Sequence, residues 1–272
     1  MTRQTGGVTA IDVDSALQLL QHGEISVEGR LVEASNATLF CDIELSGTQA
    51  RCVYKPIAGE RPLWDFPDGT LAARELATYA VSEATGLDIV PPTVMRDGPF
   101  GPGMCQLWVD VDPDVRLIDV VPPSRFPDDW LRVLDALGSG GQPVVLGHAD
   151  DVRLRRMAVL DIVVNNADRK GGHVLPLPNG QVLGVDHGVS FHVEPKLRTV
   201  LWGWAGDPLS AEETSVLTHL SEQLDGELGS RLSDLLSPAE VRATRRRVHT
   251  LLSAGRFALP MEGWPSIPWP PF

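Results

Sequence analysis

Positive charge is scarce in this sequence. Lys and Arg number 23 against 36 Asp and Glu, a formal net charge of −13 over 272 residues. A surface with that balance repels nucleic acid and anionic lipid, so neither is an expected partner. Long apolar runs are also missing. None approaches the ~18 residues that a bilayer-spanning helix requires. The opening stretch from Met1 to Gly7 lacks the apolar core of a secretory signal. Stable membrane anchoring is therefore not expected. Cysteine occurs only as Cys41, Cys52 and Cys105, with neither disulfide-framework nor zinc-site spacing. Together these absences predict a cytoplasmic location. Internal repeats are absent too. What is present is a 43% hydrophobic content, enough for one large domain or two lobes sharing a cleft.

Taken in order, the pattern predicts a short helix over 12–23, with Asp12 or Asp14 as cap and Gly23 as stop. Three alternating segments, 25–32, 37–45 and 49–55, read as an antiparallel meander, with Ser46 and Gly47 as a tight turn. The loop 57–69 carries Trp64 and Phe66, expected to pin it to the core. A helix over 70–85, capped by Thr70, precedes two further strands, 89–95 and 104–109. This completes a small α+β lobe over 1–109. The remainder, 110–272, reads as a mainly helical lobe. It starts with an irregular Asp- and Pro-rich stretch to 127 and a helix over 128–137. A long helix over 150–166 follows, then three more over 210–220, 228–235 and 238–252, and an extended Pro- and Trp-rich tail. Arg242, Arg245, Arg246, Arg247 and His249 read as a solvated face over Val241, Val248, Leu251 and Leu252, and Arg153, Arg155 and Arg156 likewise.

The densest chemistry lies between Asn165 and Gly188. Asp168, Arg169, Lys170, Gly171, Gly172 and His173 lead into a hairpin signal with its turn at Asn179 and Gly180; Val185, Asp186, His187 and Gly188 follow it. A hairpin brings its ends together, so Asp168 and His173 are expected near Asp186. Two carboxylates and an imidazole at one mouth suit a base beside a divalent cation. Lys55 at a strand end and Glu75 on the following helix suit the phosphate-binding Lys and helix Glu of kinases when combined with that mouth.

These segments resemble the catalytic and metal-binding loops of the phosphatidylinositol 3-/4-kinase-like (atypical kinase) family. That family has Asp-Arg-x-x-x-Asn, a hairpin, and Asp-x-Gly after an apolar residue. The resemblance covers about residues 25–191 and is nearest to an actinobacterial group of such proteins. It implies a two-lobed, protein-kinase-like α+β fold and an ATP-dependent phosphotransferase using Mg²⁺ or Mn²⁺. The implied roles are Asp168 as base or hydroxyl-orienting carboxylate, Arg169 as organiser of the loop with Lys170 beside it, and Asp186 and His173 at the metal. Lys55 would hold phosphate, positioned by Glu75, with Ser35 and Asn36 near the phosphates. Gln106, Leu107, Trp108 and Val109 would face the adenine. Three departures stand out. His173 occupies the place of a metal-binding Asn, and imidazole suits Mn²⁺ better than Mg²⁺. Residues 33–38 replace a Gly-rich phosphate loop. Lys170 stands where lipid kinases of the family often have His. The expected acceptor is a protein hydroxyl, including the chain's own, or a small molecule. A catalytically silent nucleotide-binding scaffold, a lipid kinase and a nucleotidyl transferase are the alternatives.

Overall fold

The computed structural model describes residues 11–31, 37–61, 63, 66, 70–261, 263 and 265–272. The chain divides into two compact units. One comprises the residues up to Ala72 together with Pro91–Val109. The other comprises Ala73–Val90 and Asp110–Phe272.

The first unit holds α1 (Val13–His22), β1 (Glu24–Arg30), β2 (Leu39–Leu45), β3 (Thr48–Pro56), β4 (Thr93–Gly98) and β5 (Gly101–Leu107). The strands form one antiparallel sheet in the order β1-β2-β3-β5-β4. The Asp12 side chain caps α1 by accepting the Ser15 N–H at 2.9 Å. Leu19 and Leu20 of α1 pack with Cys41, Ile43, Cys52, Tyr54 and Cys105 on one sheet face. Each such buried leucine contributes about 1.5–3 kcal/mol. Arg96 of β4 ties helix to sheet by donating to the carbonyls of Leu20 and Gly23, both at 2.8 Å. The three cysteines are free and buried. Thiol-to-thiol hydrogen bonding and burial push the Cys41 and Cys52 thiols far up, so they stay protonated and inert. The β2–β3 turn places both Ser46 (φ 50°) and Gly47 (φ 84°) in the left-handed region, the twist a two-residue hairpin needs.

α2 (Leu71–Thr85) begins in the first unit, and from Ala73 it belongs to the second. At its start Glu60 accepts the N–H groups of Leu71 at 3.1 Å and Ala72 at 2.8 Å. A carboxylate is a favourable acceptor at the positive end of a helix. Thr70 itself sits at a left-handed φ of 67°. Phe66 is buried as expected, whereas Trp64 lies outside the described residues.

The second unit contains β6 (Ile118–Val121), β7 (Trp130–Leu137), β8 (Pro143–Ala149), α3 (Val152–Val164), β9 (Val174–Pro176), β10 (Val182–Gly184), α4 (Ala211–Asp225), α5 (Glu227–Ser233) and α6 (Pro238–Ala254). Residues 128–137 are expected to be helical and 110–127 irregular, but β6, β8 and β7 form a three-stranded antiparallel sheet. A β-bulge between Arg132 and Leu134 breaks the period of two. Leu131, Leu134 and Leu137 thus fall at helical spacing although they lie on a strand. α3 is buried nearly all round and packs against α6. Ser210 with Glu213, and Ser237 with Glu240, form capping boxes that start α4 and α6, each worth about 1 kcal/mol. No helix among the described residues is long and apolar enough to cross a membrane.

His148 locks β8 to the turn at Trp202–Trp204. Its Nε2 accepts the Gly203 N–H at 3.0 Å, so the ring proton sits on Nδ1, 2.9 Å from the Ala149 carbonyl. The ring lies 4.4 Å from that of Trp204. Burial holds the imidazole pKa below its ordinary value. A His depressed in the folded state contributes stability above its unfolded pKa and loses it as pH falls through the folded one. Acidification below about pH 6.5 should therefore lower the thermal midpoint. His148→Phe should cost about 1–3 kcal/mol at neutral pH and flatten that acid dependence in thermal unfolding followed by circular dichroism. An unchanged pH slope in the variant would refute the lock.

Candidate active site

α3 ends at Asn165, which adopts a left-handed conformation (φ 54°) and donates its N–H back to the Asp161 and Ile162 carbonyls. Its side chain holds three further backbone groups, those of His192, Glu194 and Lys196, at 2.7–2.9 Å. The chain thus turns sharply out of the helix. Asn166 Oδ1 then accepts the Asp168 N–H at 3.0 Å, and Asn166 Nδ2 donates to Asp161 at 3.0 Å.

Arg169 is completely buried beside Asp161, which is also completely buried. Its Nε lies 3.0 Å from Asp161 Oδ2 and its Nη2 2.9 Å from Oδ1. Nη1 donates to the carbonyls of His173 (3.3 Å) and Val185 (3.1 Å), and Nη2 also meets His187 Nε2 at 2.6 Å. One guanidinium therefore joins the end of α3, the loop 168–173 and the segment 185–187. Gly184 lets the guanidinium pass close by, since a Cβ there would meet it at a tight 3.2 Å. Since Arg169 has no exposed surface, it is a positioning residue.

The hairpin forms as the sequence predicts. Gly184 pairs with Val174 at its mouth, and the Val185 N–H donates to the His173 carbonyl at 3.0 Å. Asp186 follows at a left-handed φ of 62° with its side chain 54% exposed. A non-glycine residue in that region costs energy, which functional sites tolerate. His173 Nε2 lies 3.5 Å from Asp186 Oδ2, and its Nδ1 faces the Lys170 N–H at 3.5 Å. An N–H donor opposite Nδ1 puts the ring proton on Nε2, on the Asp186 side. His187 has the opposite tautomer. Arg169 can only donate to its Nε2, so Nδ1 carries the proton, 3.9 Å from Glu75 Oε2. Glu75 Oε2 also accepts the His187 N–H at 2.9 Å, and Arg74 donates to the Ser190 carbonyl at 2.7 Å. α2 therefore holds the segment 187–190 through two adjacent side chains.

Asp168 Oδ2 lies 3.4 Å from Lys170 Nζ. Burial raises its carboxyl pKa, and the negative charge of Asp186 adds to the rise, while Lys170 and Arg198 oppose it. The C-terminal segment meets the same loop. The Gly171 N–H donates to the Pro271 carbonyl at 2.8 Å, and the Phe272 ring fills the space where a Gly171 side chain would be.

Asp168, Arg169, Lys170, His173, Asp186 and Glu75 all belong to the second unit. Lys55, Gln106, Leu107, Trp108 and Val109 belong to the first. Lys55 lies on β3 opposite Met104, on the face turned away from the α1 core. Gln106 is buried and donates to Thr93 Oγ1 at 2.9 Å. The Leu107 and Trp108 N–H groups bond to the carbonyls of Pro92 and Arg51, and Val109 closes the unit just past β5. Ser35 and Asn36 lie outside the described residues. Among the described residues no three His, Cys, Asp or Glu side chains are placed to hold a metal by themselves. Asp186 nevertheless fits a hard cation whose other ligands are phosphate oxygens and water, the usual habit of Mg²⁺.

Protein Rv2133c of Mycobacterium tuberculosis is 50% identical to this chain over 268 residues, which span 95% of the chain and 96% of that protein. The chain belongs to the Rv2133c family. No protein-family model matches it. Among solved structures, the crystal structure of the Helicobacter pylori proinflammatory kinase CtkA is similar at a TM-score of 0.43 and 10% identity. The match covers 88% of this chain and 94% of that one.

In this member of the Rv2133c family, Asp161, His187, Arg74 and Asn166 are the site residues that sequence reading misses. Asp161 has a signal: a lone carboxylate in the apolar second half of a helix demands a buried cation. Arg169→Ala should cost about 3–5 kcal/mol by stranding Asp161, whereas Arg169→Met combined with Asp161→Leu should recover most of the loss in denaturant unfolding. A small loss in the single variant would contradict the hub. Asp168 has a folded-state pKa above its unfolded one, so its ionised form costs stability at neutral pH and the cost fades in acid. Asp168→Asn should accordingly raise the thermal midpoint near neutral pH, with a gain that shrinks on acidification. A midpoint lowered at all pH values would contradict this.

Proposed function

We propose that this protein is an ATP- and divalent-metal-dependent phosphotransferase of the phosphatidylinositol 3-/4-kinase-like type, with a protein hydroxyl, including its own, as acceptor. The observation that carries the reading is the tie between the Asp168 loop and the Asp186 segment through one guanidinium. It keeps a partly buried carboxylate of raised pKa and a half-exposed carboxylate at one hairpin mouth. Phosphoryl transfer needs little covalent chemistry from the protein; positioning and charge stabilisation supply most of the rate. In this reading Asp168 accepts or orients the acceptor hydroxyl proton. Its raised pKa makes it a better base than an exposed Asp. Lys170 neutralises charge beside it. Asp186 would hold a divalent cation, which supplies phosphate bridging and charge neutralisation when bound. Lys55 would contact phosphate, and the end of β5 would face the adenine. The charge of −13 weighs against a lipid bilayer substrate.

A second reading has one observation in its favour. With its proton on Nε2, His173 is a hydrogen-bond donor toward Asp186 and offers no lone pair to a metal there. That arrangement leaves Asp186 as the principal ligand and favours a slow or silent nucleotide-binding protein.

Incubation with γ-labelled ATP and Mg²⁺ or Mn²⁺ separates the readings. Phosphotransfer predicts label on the chain or an added protein, falling by at least about 100-fold in Asp168→Asn and Asp186→Asn. Binding without transfer or hydrolysis would sink it in favour of the silent reading. Label transferred only from α-labelled ATP would mean nucleotidyl transfer. His173→Asn should raise the Mg²⁺-supported rate if the imidazole is the handicap; a loss would mark His173 as a ligand.

A further inference from the structure

Away from the hairpin mouth, the second unit has a cavity of about 650 Å³ at the C-terminal ends of α3 and α6. That size is ordinary for a small-molecule site. Its wall is mostly apolar, with Ile162, Leu197, Trp202, Leu251 and Phe257 prominent. Leu259, 68% exposed, stands among its lining residues. Three guanidinium groups, those of Arg246, Arg247 and Arg256, complete it, and no acidic residue is among the described residues that line it.

That charge imbalance is the informative feature. In a chain where acids outnumber bases 36 to 23, chance favours acidic lining. Elsewhere in the same unit arginines find carboxylates: Arg155 pairs with Glu213, Arg156 with Glu212 and Arg245 with Asp225. The three cavity arginines do not. Arg247 donates to the carbonyls of Val163 (2.7 Å) and His192 (3.3 Å) and to Thr244 Oγ1 (2.9 Å), all neutral acceptors. Arg256 donates to the Gly206 carbonyl at 3.0 Å. Arg246 makes no hydrogen bond or ion pair among the described residues. Burial, helped by the charge of Arg246 and opposed by that of Glu240, holds the Arg247 guanidinium down to about 10. A bound anion would relieve that cost.

We propose that this cavity binds a single-chain amphiphile whose anionic head sets against Arg246, Arg247 and Arg256 and whose apolar chain lies along Trp202, Leu251 and Phe257. The apolar wall excludes a bare inorganic anion as the preferred occupant, since it would leave that wall wet. The three guanidinium groups, none in an ion pair among the described residues, select against an uncharged amphiphile. Asn165, which lines the cavity, is also the residue that turns α3 into the Asp168 loop. An occupant would therefore press on the start of that loop, whatever chemistry the loop performs.

Titration of the full-length chain, followed by tryptophan fluorescence and calorimetry, tests this. The probes are dodecanoate, dodecyl phosphate and dodecanol, each below its self-association concentration. Saturable one-to-one binding of either anionic probe is expected, with dodecanol weaker by about tenfold or more. Arg246→Glu and Arg256→Glu should each weaken the anionic probe by about tenfold. Ala254→Trp, at the exposed end of α6, should abolish binding while unfolding stays cooperative. No saturable binding, equal binding of dodecanol, or wild-type affinity in both charge-reversed variants would overturn the proposal.

Discussion

The buried pair of Arg169 and Asp161 is the constraint on which the candidate site depends. A buried ion pair is a poor source of net stability, because desolvation offsets its attraction. Its value here is geometric. The guanidinium has five N–H donors, and its acceptors are the Asp161 carboxylate, the carbonyls of His173 and Val185, and the imidazole of His187. With every donor committed, the group has one position, and it imposes that position on three separate chain segments. Asp161 is similarly saturated, also accepting from Asn166 at 3.0 Å and Thr199 at 3.3 Å.

Two carboxylates are carried by that frame at some cost. Asp168 is held in surroundings that disfavour its charge, and Asp186 in a backbone conformation that disfavours its side chain. Neither arrangement improves packing. Both become intelligible if the carboxylates serve chemistry, since strain and unfavourable ionisation gather where function requires them. The second turn of α2 adds a further restraint, because Arg74 and Glu75 hold the segment after Asp186 through the Ser190 carbonyl and the His187 N–H.

How far the structure is legible from the sequence varies by element. The hairpin is legible, since Asn179-Gly180 fixes a two-sided turn and therefore brings His173 beside Val185. The helices from 150 onward are too, because capping residues and apolar periodicity agree with one another. The sheet of β6, β8 and β7 is not, since one bulge in β7 turns an alternating pattern into a helical one. The hub is half legible. Arg169 stands out by its motif, but its partner Asp161 lies eight residues earlier on a helix, and the left-handed turn at Asn165 that brings them together is not written in any periodicity. Likewise, His187 reads as a turn residue, because only the folded site shows that its ring separates a guanidinium from a carboxylate.

The central claim is that the mouth framed by Arg169 is where a nucleotide's phosphates and a cation meet Asp168 and Asp186. A crystal structure with a non-hydrolysable ATP analogue and Mn²⁺, with the cation located by anomalous scattering, tests it most directly. The expected result is a Mn²⁺ peak at coordination distance, about 2–2.5 Å, from an Asp186 carboxylate oxygen, with the terminal phosphate facing Asp168. A nucleotide bound elsewhere, or a cation that leaves Asp186 unligated, would contradict it.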